Sequence, residues 1–345
     1  MDSPLPQAQK GWQVVRSGAP KDALKLKDDL PVPHDIPQGH VLVKVLAAAL
    51  NPVGYKLMSM PNIMVKRPVI AEHDLSGEIV NGNGTEFKVG DEVFGMVPAD
   101  LSMKTGWGSM QEYAIVPAEA LVLKPKNIDF KTAAGVALAG QTAYEALFQI
   151  GKLEAGQRVF INGGSSSVGT IAIQLAKNAG ARVDCSASTR NIEYCKGYGA
   201  DQVFDYTKQP LYEQLLEAEV SPPYNVFFDC VDATGDLFVH SKKYLAPNGI
   251  FVSTGPNFHG LAQIPHVLWT MLRIYWPVLL GGTHRAIKIF LLKSEKTKLQ
   301  GLADQIAEGK LKVPVDSVFA FEDLPKAYAR IMSGRANGKV VVQVL

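Results

Sequence analysis

Residues 158–188 read RVFINGGSSSVGTIAIQLAKNAGARVDCSAS, and this stretch narrows the fold further than any other. A short apolar run enters a turn of small residues, Gly163 to Gly169. It continues into a helical segment carrying Ile171, Ile173 and Leu175, and then into a second apolar run. Strand, tight turn, helix and strand in that order make a βαβ unit with a parallel pair. Small side chains let the backbone come close to a diphosphate, and the unpaired N–H groups of the helix start hold its charge. Gly164, Ser165, Ser166, Ser167, Val168 and Gly169 are therefore expected to contact a dinucleotide. The turn departs from G-x-G-x-x-G because three serines fill its middle, where hydroxyls can donate to phosphate oxygens.

The end of the second strand predicts which dinucleotide. A site selective for NAD places Asp or Glu about 20 residues past the glycine turn, on the ribose hydroxyls. This chain has Ser188, Thr189, Arg190 and Asn191 there, and its only nearby acid, Asp184, falls in mid-strand. A hydroxyl and a guanidinium suit a 2′-phosphate through charge-assisted hydrogen bonds, so Ser188, Arg190 and Asn191 predict NADPH. Tyr206, closing the third-strand signal VFDY, is expected against the adenine or its phosphate. Ser253 and Thr254 end another strand, at the edge where such sheets hold cofactors.

The texture of the chain changes around this unit. The first third carries short β-branched runs between Gly and Pro (40–47, 74–80, 91–97, 112–116), the pattern of an antiparallel β-domain. From about Ile128, helical stretches alternate with apolar strands, the pattern of a doubly wound parallel sheet. The tail from Lys293 holds two amphipathic helices and a strand, Lys339–Val344, expected to return to the first domain. The expected architecture is thus α/β, with a β-domain of residues 1–125 and 293–345 split by a nucleotide-binding domain of residues 126–292. Among 345 residues, a net charge of +2 gives no footprint for nucleic acid. Three unpaired-looking cysteines suggest a reducing, cytoplasmic setting. The N-terminus lacks the apolar core of a secretory signal. Residues 264–280 (IPHVLWTMLRIYWPVLL) contain Arg273, His266 and two prolines, which predicts a buried or interface helix pair broken near Pro277. Peripheral membrane contact stays open, as does the choice between monomer and homodimer.

Motifs elsewhere give the chain a resemblance to a known family. AAALNP at 47–52, EHDLSGEIV at 72–80, FKVGDEVFG at 87–95 and GSMQEYAIVPA at 108–118 are followed by LAGQTAYEAL at 138–147 and GADQVFDY at 199–206. The last is EGKLKVPVDSVFAFEDLPKAYARIMSGRANGKVVV at 308–342. Taken in this order, they resemble the zinc-free branch of the medium-chain dehydrogenase/reductase superfamily, near quinone oxidoreductases and enoyl reductases. The resemblance implies a GroES-like β-domain with an inserted Rossmann-type domain and a cofactor in the cleft between them. It also implies that Asn51 lies near the nicotinamide ribose or the substrate carbonyl, and that Lys56, in the same loop, points toward them. Thr142, beside Gln141, would touch the nicotinamide carboxamide, and Lys339 of the last motif would join the cofactor contacts. Tyr55 is a candidate proton donor. The usual acid of this loop is replaced by Gly54.

The zinc-dependent members of the superfamily hold their catalytic metal with Cys, His and a further Cys or Asp. His73–Asp74 keeps a His–acid pair, but Asn51 stands where the first cysteine would be and Ala139 near the second, so no metal is expected. Reduction of an isolated ketone needs a strong stabiliser for its alkoxide, whereas a conjugated enone or quinone spreads the charge. The expected reaction is therefore hydride transfer to a conjugated C=C or a quinone. A trans-acting enoyl reductase of a polyketide pathway and a non-catalytic NADPH-binding scaffold at a membrane remain as alternatives.

Overall fold

The structure is a computed structural model that describes residues 5–231, 235–255 and 264–345. The chain forms two compact units: Met1–Gln141 with Lys293–Gly309 and Val313–Leu345, and Thr142–Leu292 with Lys310–Lys312.

The first unit is built on a seven-stranded sheet in the order Val315–Ala320, Lys339–Gln343, His40–Ala49, Asp74–Asn81, Glu92–Met96, Leu121–Leu123, with Tyr113–Pro117 also on His40–Ala49. Apart from the parallel pair Val315–Ala320 and Lys339–Gln343, its pairings are antiparallel. The strand Lys339–Gln343 pairs antiparallel with His40–Ala49, so the C-terminal segment completes a sheet begun near the N-terminus. A three-stranded sheet, Leu24–Pro31, Ala8–Val14, Val69–Ile70, lies in the same unit. Alternation along His40–Ala49 and Asp74–Asn81 buries Val43, Val45, Leu75 and Ile79 in a core shared with Leu324, Ala327 and Tyr328.

The second unit is a six-stranded, all-parallel sheet in the order Gln202–Asp205, Arg182–Ala187, Arg158–Asn162, Tyr224–Asp229, Leu245–Ser253, Ala286–Ile289. Phe160, Phe227 and Phe251 sit in register on three adjacent strands and stack with centroids 4.7 Å apart in each pair. That ladder aligns the carboxyl ends of the strands. The strand order reverses beside Arg158–Asn162, so the Gly163–Gly169 turn leaves the sheet at its topological switch point, where open parallel sheets bind ligands.

Residues 264–280 break near Pro277 as expected, and of the two alternatives, buried or interface, burial within this chain is not what the structure shows. They form a helix, Ile264–Ile274, and a short 3₁₀ turn, Val278–Leu280, with Leu268, Trp269, Leu272 and Tyr275 exposed. Among the described residues, no helix is long and apolar enough to cross a membrane.

Candidate functional site

In the second unit the Gly163–Gly169 turn is fixed from both sides. Gly163 has φ +89°, a conformation open to glycine, and its N–H donates to Ser186 Oγ at 2.9 Å. The Gly164 N–H donates to the Ser186 carbonyl at 2.8 Å. Ser166 caps the helix Ser167–Asn178, its hydroxyl accepting the Gly169 N–H at 3.0 Å. A Cβ at Gly164 would meet Cys185 Sγ at 2.7 Å, and one at Gly169 would meet the Gly163 carbonyl at 2.1 Å. The glycines thus make a cradle in which helix and turn approach closer than side chains allow, the form that admits a diphosphate. Ser165 Oγ accepts from Asn191 Nδ2 at 3.1 Å, tying the turn to the segment after Arg182–Ala187.

That segment holds the expected 2′-phosphate residues. Ser188 is half-buried, while Arg190 is exposed and its guanidinium has no partner among the described residues. Tyr206 is also exposed. Asp184 is committed elsewhere: it is buried, with Arg158 Nη2 at 2.5 Å and the Tyr224 hydroxyl at 2.8 Å. One acid was overlooked. Asp205, in register with Ala187 on the neighbouring strand, accepts the hydroxyls of Thr189 at 2.5 Å and Thr207 at 2.6 Å. Those hydrogen bonds, Thr189 first, hold its carboxyl below the usual carboxylate range. The VFDY motif contains this residue, but only the pairing of the strands shows what it faces. Ser253 is buried and accepts the Gly255 N–H, and the Thr254 N–H donates to the Asp229 carbonyl. Thr142 is buried in the helix Ala137–Tyr144. The Gln141 amide engages Ser294 and the Glu295 N–H, where the chain returns to the first unit.

In the first unit, residues 51–56 begin a helix, Pro52–Ser59, rather than forming a loop. Proline at its first position and an extended Asn51 start it. The Arg67 guanidinium accounts for its end, donating to the carbonyls of Leu57, Met58 and Met60 at 3.0, 3.2 and 3.0 Å. Asn51 is buried, and its Oδ1 accepts from Lys339 Nζ at 2.7 Å. Its Nδ2 donates to Asp74 Oδ2 at 2.9 Å and to the Ala49 carbonyl at 3.4 Å. Lys339 Nζ reaches Asp74 Oδ2 at 3.0 Å, and Asp74 Oδ1 accepts the Leu138 N–H at 3.0 Å. Both amide protons of Asn51 are therefore engaged, and toward a ligand it can act only as an acceptor. Lys339 is buried in the same clasp.

Burial lowers the pKa of the half-buried Lys56, whose ammonium has no partner among the described residues. Burial, and then the charge of Glu72, raise the pKa of the Tyr55 phenol. Glu72 itself is buried beside them and was not singled out from the sequence. Burial pushes its carboxyl up to about 8, against the hydrogen bond from Tyr328 and the charge of Lys339.

Zinc does not fit these residues. His73 is buried, with Nδ1 at 3.1 Å from the Val97 carbonyl, and burial lowers its pKa. At Asn51 and Asp74 the cation is the Lys339 ammonium. No group of three or more His, Cys, Asp or Glu that could hold a metal is found among the described residues.

An antiparallel GroES-like unit, together with a Rossmann-type parallel unit bearing a glycine cradle at its switch point, defines an oxidoreductase that uses a nicotinamide cofactor. Residues 37–126 match the alcohol dehydrogenase GroES-like domain and residues 198–342 the zinc-binding dehydrogenase family. The chain is 33% identical to a trans-enoyl reductase of Aspergillus terreus over all of its own length and 98% of that protein. It is 32% identical to 2-methylene-furan-3-one reductase of Solanum lycopersicum, covering 98% of this chain and 80% of that one. The solved quinone oxidoreductase of Coxiella burnetii matches with a TM-score of 0.81 at 27% identity, over 98% of this chain and all of that one. The chain belongs to the medium-chain dehydrogenase/reductase superfamily, in its quinone oxidoreductase and enoyl reductase branch.

Proposed function

We propose that this protein is a zinc-independent, NADPH-dependent reductase of conjugated C=C bonds or quinones. The second unit would bind the cofactor and the first the substrate. The observation that carries this reading is the clasp of Asn51, Asp74 and Lys339, in which an ammonium supplies the buried positive charge. A site so built lacks the Lewis acid that an isolated ketone calls for, which favours substrates that delocalise their charge.

When bound, NADPH supplies the hydride. Ser165, Ser166 and the backbone around Gly169 would hold its diphosphate, and Ser188 and Arg190 its 2′-phosphate. Asp205 is no obstacle, because both its oxygens already accept from threonines. Asn51 Oδ1 would accept from a ribose hydroxyl. Lys56 and Tyr55 would donate to the substrate oxygen as negative charge develops there, with Tyr55 the candidate proton donor.

The similarity to a trans-enoyl reductase favours a second reading, in which the enoyl group arrives on a carrier. The test is NADPH oxidation with enones, alkenals, benzoquinones, and enoyl thioesters both free and carrier-bound, with products identified by mass. Turnover of free conjugated substrates is expected. Turnover confined to the carrier-bound thioester would select the second reading, and tight NADPH binding without any turnover would remove both.

A further inference from the structure

Glu72 and Gly54 have exchanged the features that their positions call for. Glu72 has φ +61°, a left-handed backbone that favours glycine. Gly54 lies in the helix Pro52–Ser59 and is not among the residues of positive φ, so its backbone gives no reason for a glycine. The reason is the Glu72 carboxyl. A Cβ at Gly54 would lie 2.1 Å from Glu72 Oε1 and 2.9 Å from Oε2. The carboxyl thus occupies the volume that a side chain at position 54 would take.

From there it holds the helix start. Glu72 Oε2 accepts the Asn51 N–H at 3.2 Å, and Oε1 accepts the Tyr328 hydroxyl. The Glu72 carboxyl thus satisfies the amide at the start of the helix, as Arg67 satisfies carbonyls at its end. Charged and titratable groups face it from several elements: Tyr328 from Leu324–Met332, Lys339 from its strand, Asp74 from Asp74–Asn81 and Tyr55 from Pro52–Ser59. Arg67 and His73 line, with Glu72 and Gly54, a cavity of about 20 Å³.

We propose that Glu72 and Gly54 act as one unit in which residue 72, outside the helix, carries the carboxyl that positions Asn51, Tyr55 and Lys56 for reduction. Glu72 is a positioning residue that acts through this segment, and its catalytic consequence rests on the proposed reductase activity.

The unit can be tested by moving the carboxyl from position 72 to position 54. Glu72→Gly suits the backbone but removes the carboxyl, and kcat should fall on the order of tenfold or more, with a smaller loss of NADPH affinity through Asn51. Gly54→Asp alone drives a side chain into Glu72 and should lower Tm. Glu72→Gly/Gly54→Asp makes room for the new side chain and returns a carboxyl to the site, so both kcat and Tm should exceed those of the Gly54→Asp protein, with kcat also above Glu72→Gly. Rescue of kcat as well as Tm is what a purely structural role would not give. Additive losses in the double variant would overturn the pairing, and recovered Tm without recovered kcat would overturn the positioning role. Should the unaltered protein reduce none of the substrates named above, the reductase reading fails, and Tm coupling between positions 54 and 72 still decides the pairing.

Discussion

A carboxyl buried as Glu72 is makes stability fall with rising pH, opposite to the effect of an ion-paired surface acid. Its pKa rises from the ordinary 4.5 to about 8, with burial as the main cause. Between those values the native state keeps a proton that the unfolded chain releases, so unfolding gains relative to folding as pH increases. Below about 4.5 both states are protonated and the penalty is absent; above about 8 it is complete. Each unit of displacement is worth about 1.4 kcal/mol. The urea midpoint is therefore expected to decline from pH 5 to pH 8.5, and Glu72→Gln should flatten that decline. An unchanged slope in the variant would assign the pH dependence to other groups. Arg190 presents the opposite situation: an exposed guanidinium with no partner among the described residues, beside Ser188 at the end of its strand. Arg190→Ala should weaken NADPH by about 1.5–3 kcal/mol, the worth of a charge-assisted contact, and NADH little. Titration calorimetry with both cofactors checks this, and equal losses would remove the 2′-phosphate assignment. Arg190 could be read from the sequence because its context is local. Asp205, 15 positions further on, could not, because strand pairing brings it to Thr189.

Among the elements, the glycine turn was legible and the helix Pro52–Ser59 was not, and the two differ in where their determinants lie. The glycines, the Ser166 cap and the Ser186 contacts that shape the turn's approach to its helix lie between Gly163 and Ser186, within one βαβ unit. Gly169→Ala tests this directly: the added Cβ would stand 2.1 Å from the Gly163 carbonyl, a backbone atom that cannot swing aside. The helix start must shift, and NADPH affinity is expected to drop at least tenfold, about 1.4 kcal/mol, with a lowered Tm. Undiminished affinity would show that the cradle is not the diphosphate site. The helix Pro52–Ser59 has eight residues with a glycine inside, and its local propensity is weak. What secures it comes from Arg67 and Glu72, beyond its own sequence. The clasp of Asn51 with Asp74 and Lys339 spans 288 positions and has no sequence signature of its own.

For the whole molecule, the change of period from strand alternation to strand–helix alternation conveyed an antiparallel β-unit and a parallel α/β unit, and the family resemblance supplied their GroES-like and Rossmann-type character. The same patterns placed the break of residues 264–280 near Pro277 but could not choose between a buried and an interface segment, because an apolar run shows that a face is apolar without showing what covers it. Leu268 and Tyr275 are 64% and 62% exposed. The chemistry of the protein as a whole gives the last prediction. A reductase whose buried cation is the Lys339 ammonium should discriminate between an enone and the matching saturated ketone. Hydride addition to the ketone leaves a full charge on one oxygen, to be met by Lys56 and Tyr55 alone, since both amide protons of Asn51 are engaged. Loss of one well-placed donor to such an oxyanion typically costs roughly 3–4 kcal/mol of barrier, and lack of a metal should penalise the ketone by at least that order. Conjugate addition spreads the charge and escapes most of that penalty. The enone is therefore expected to turn over at least two to three orders of magnitude faster by kcat/KM, with chelators leaving the rate unchanged. Elemental analysis of the purified protein should show no stoichiometric zinc. A saturated ketone reduced as fast as its enone partner, or one zinc per chain, would place a stronger electrophile in the site than these residues provide.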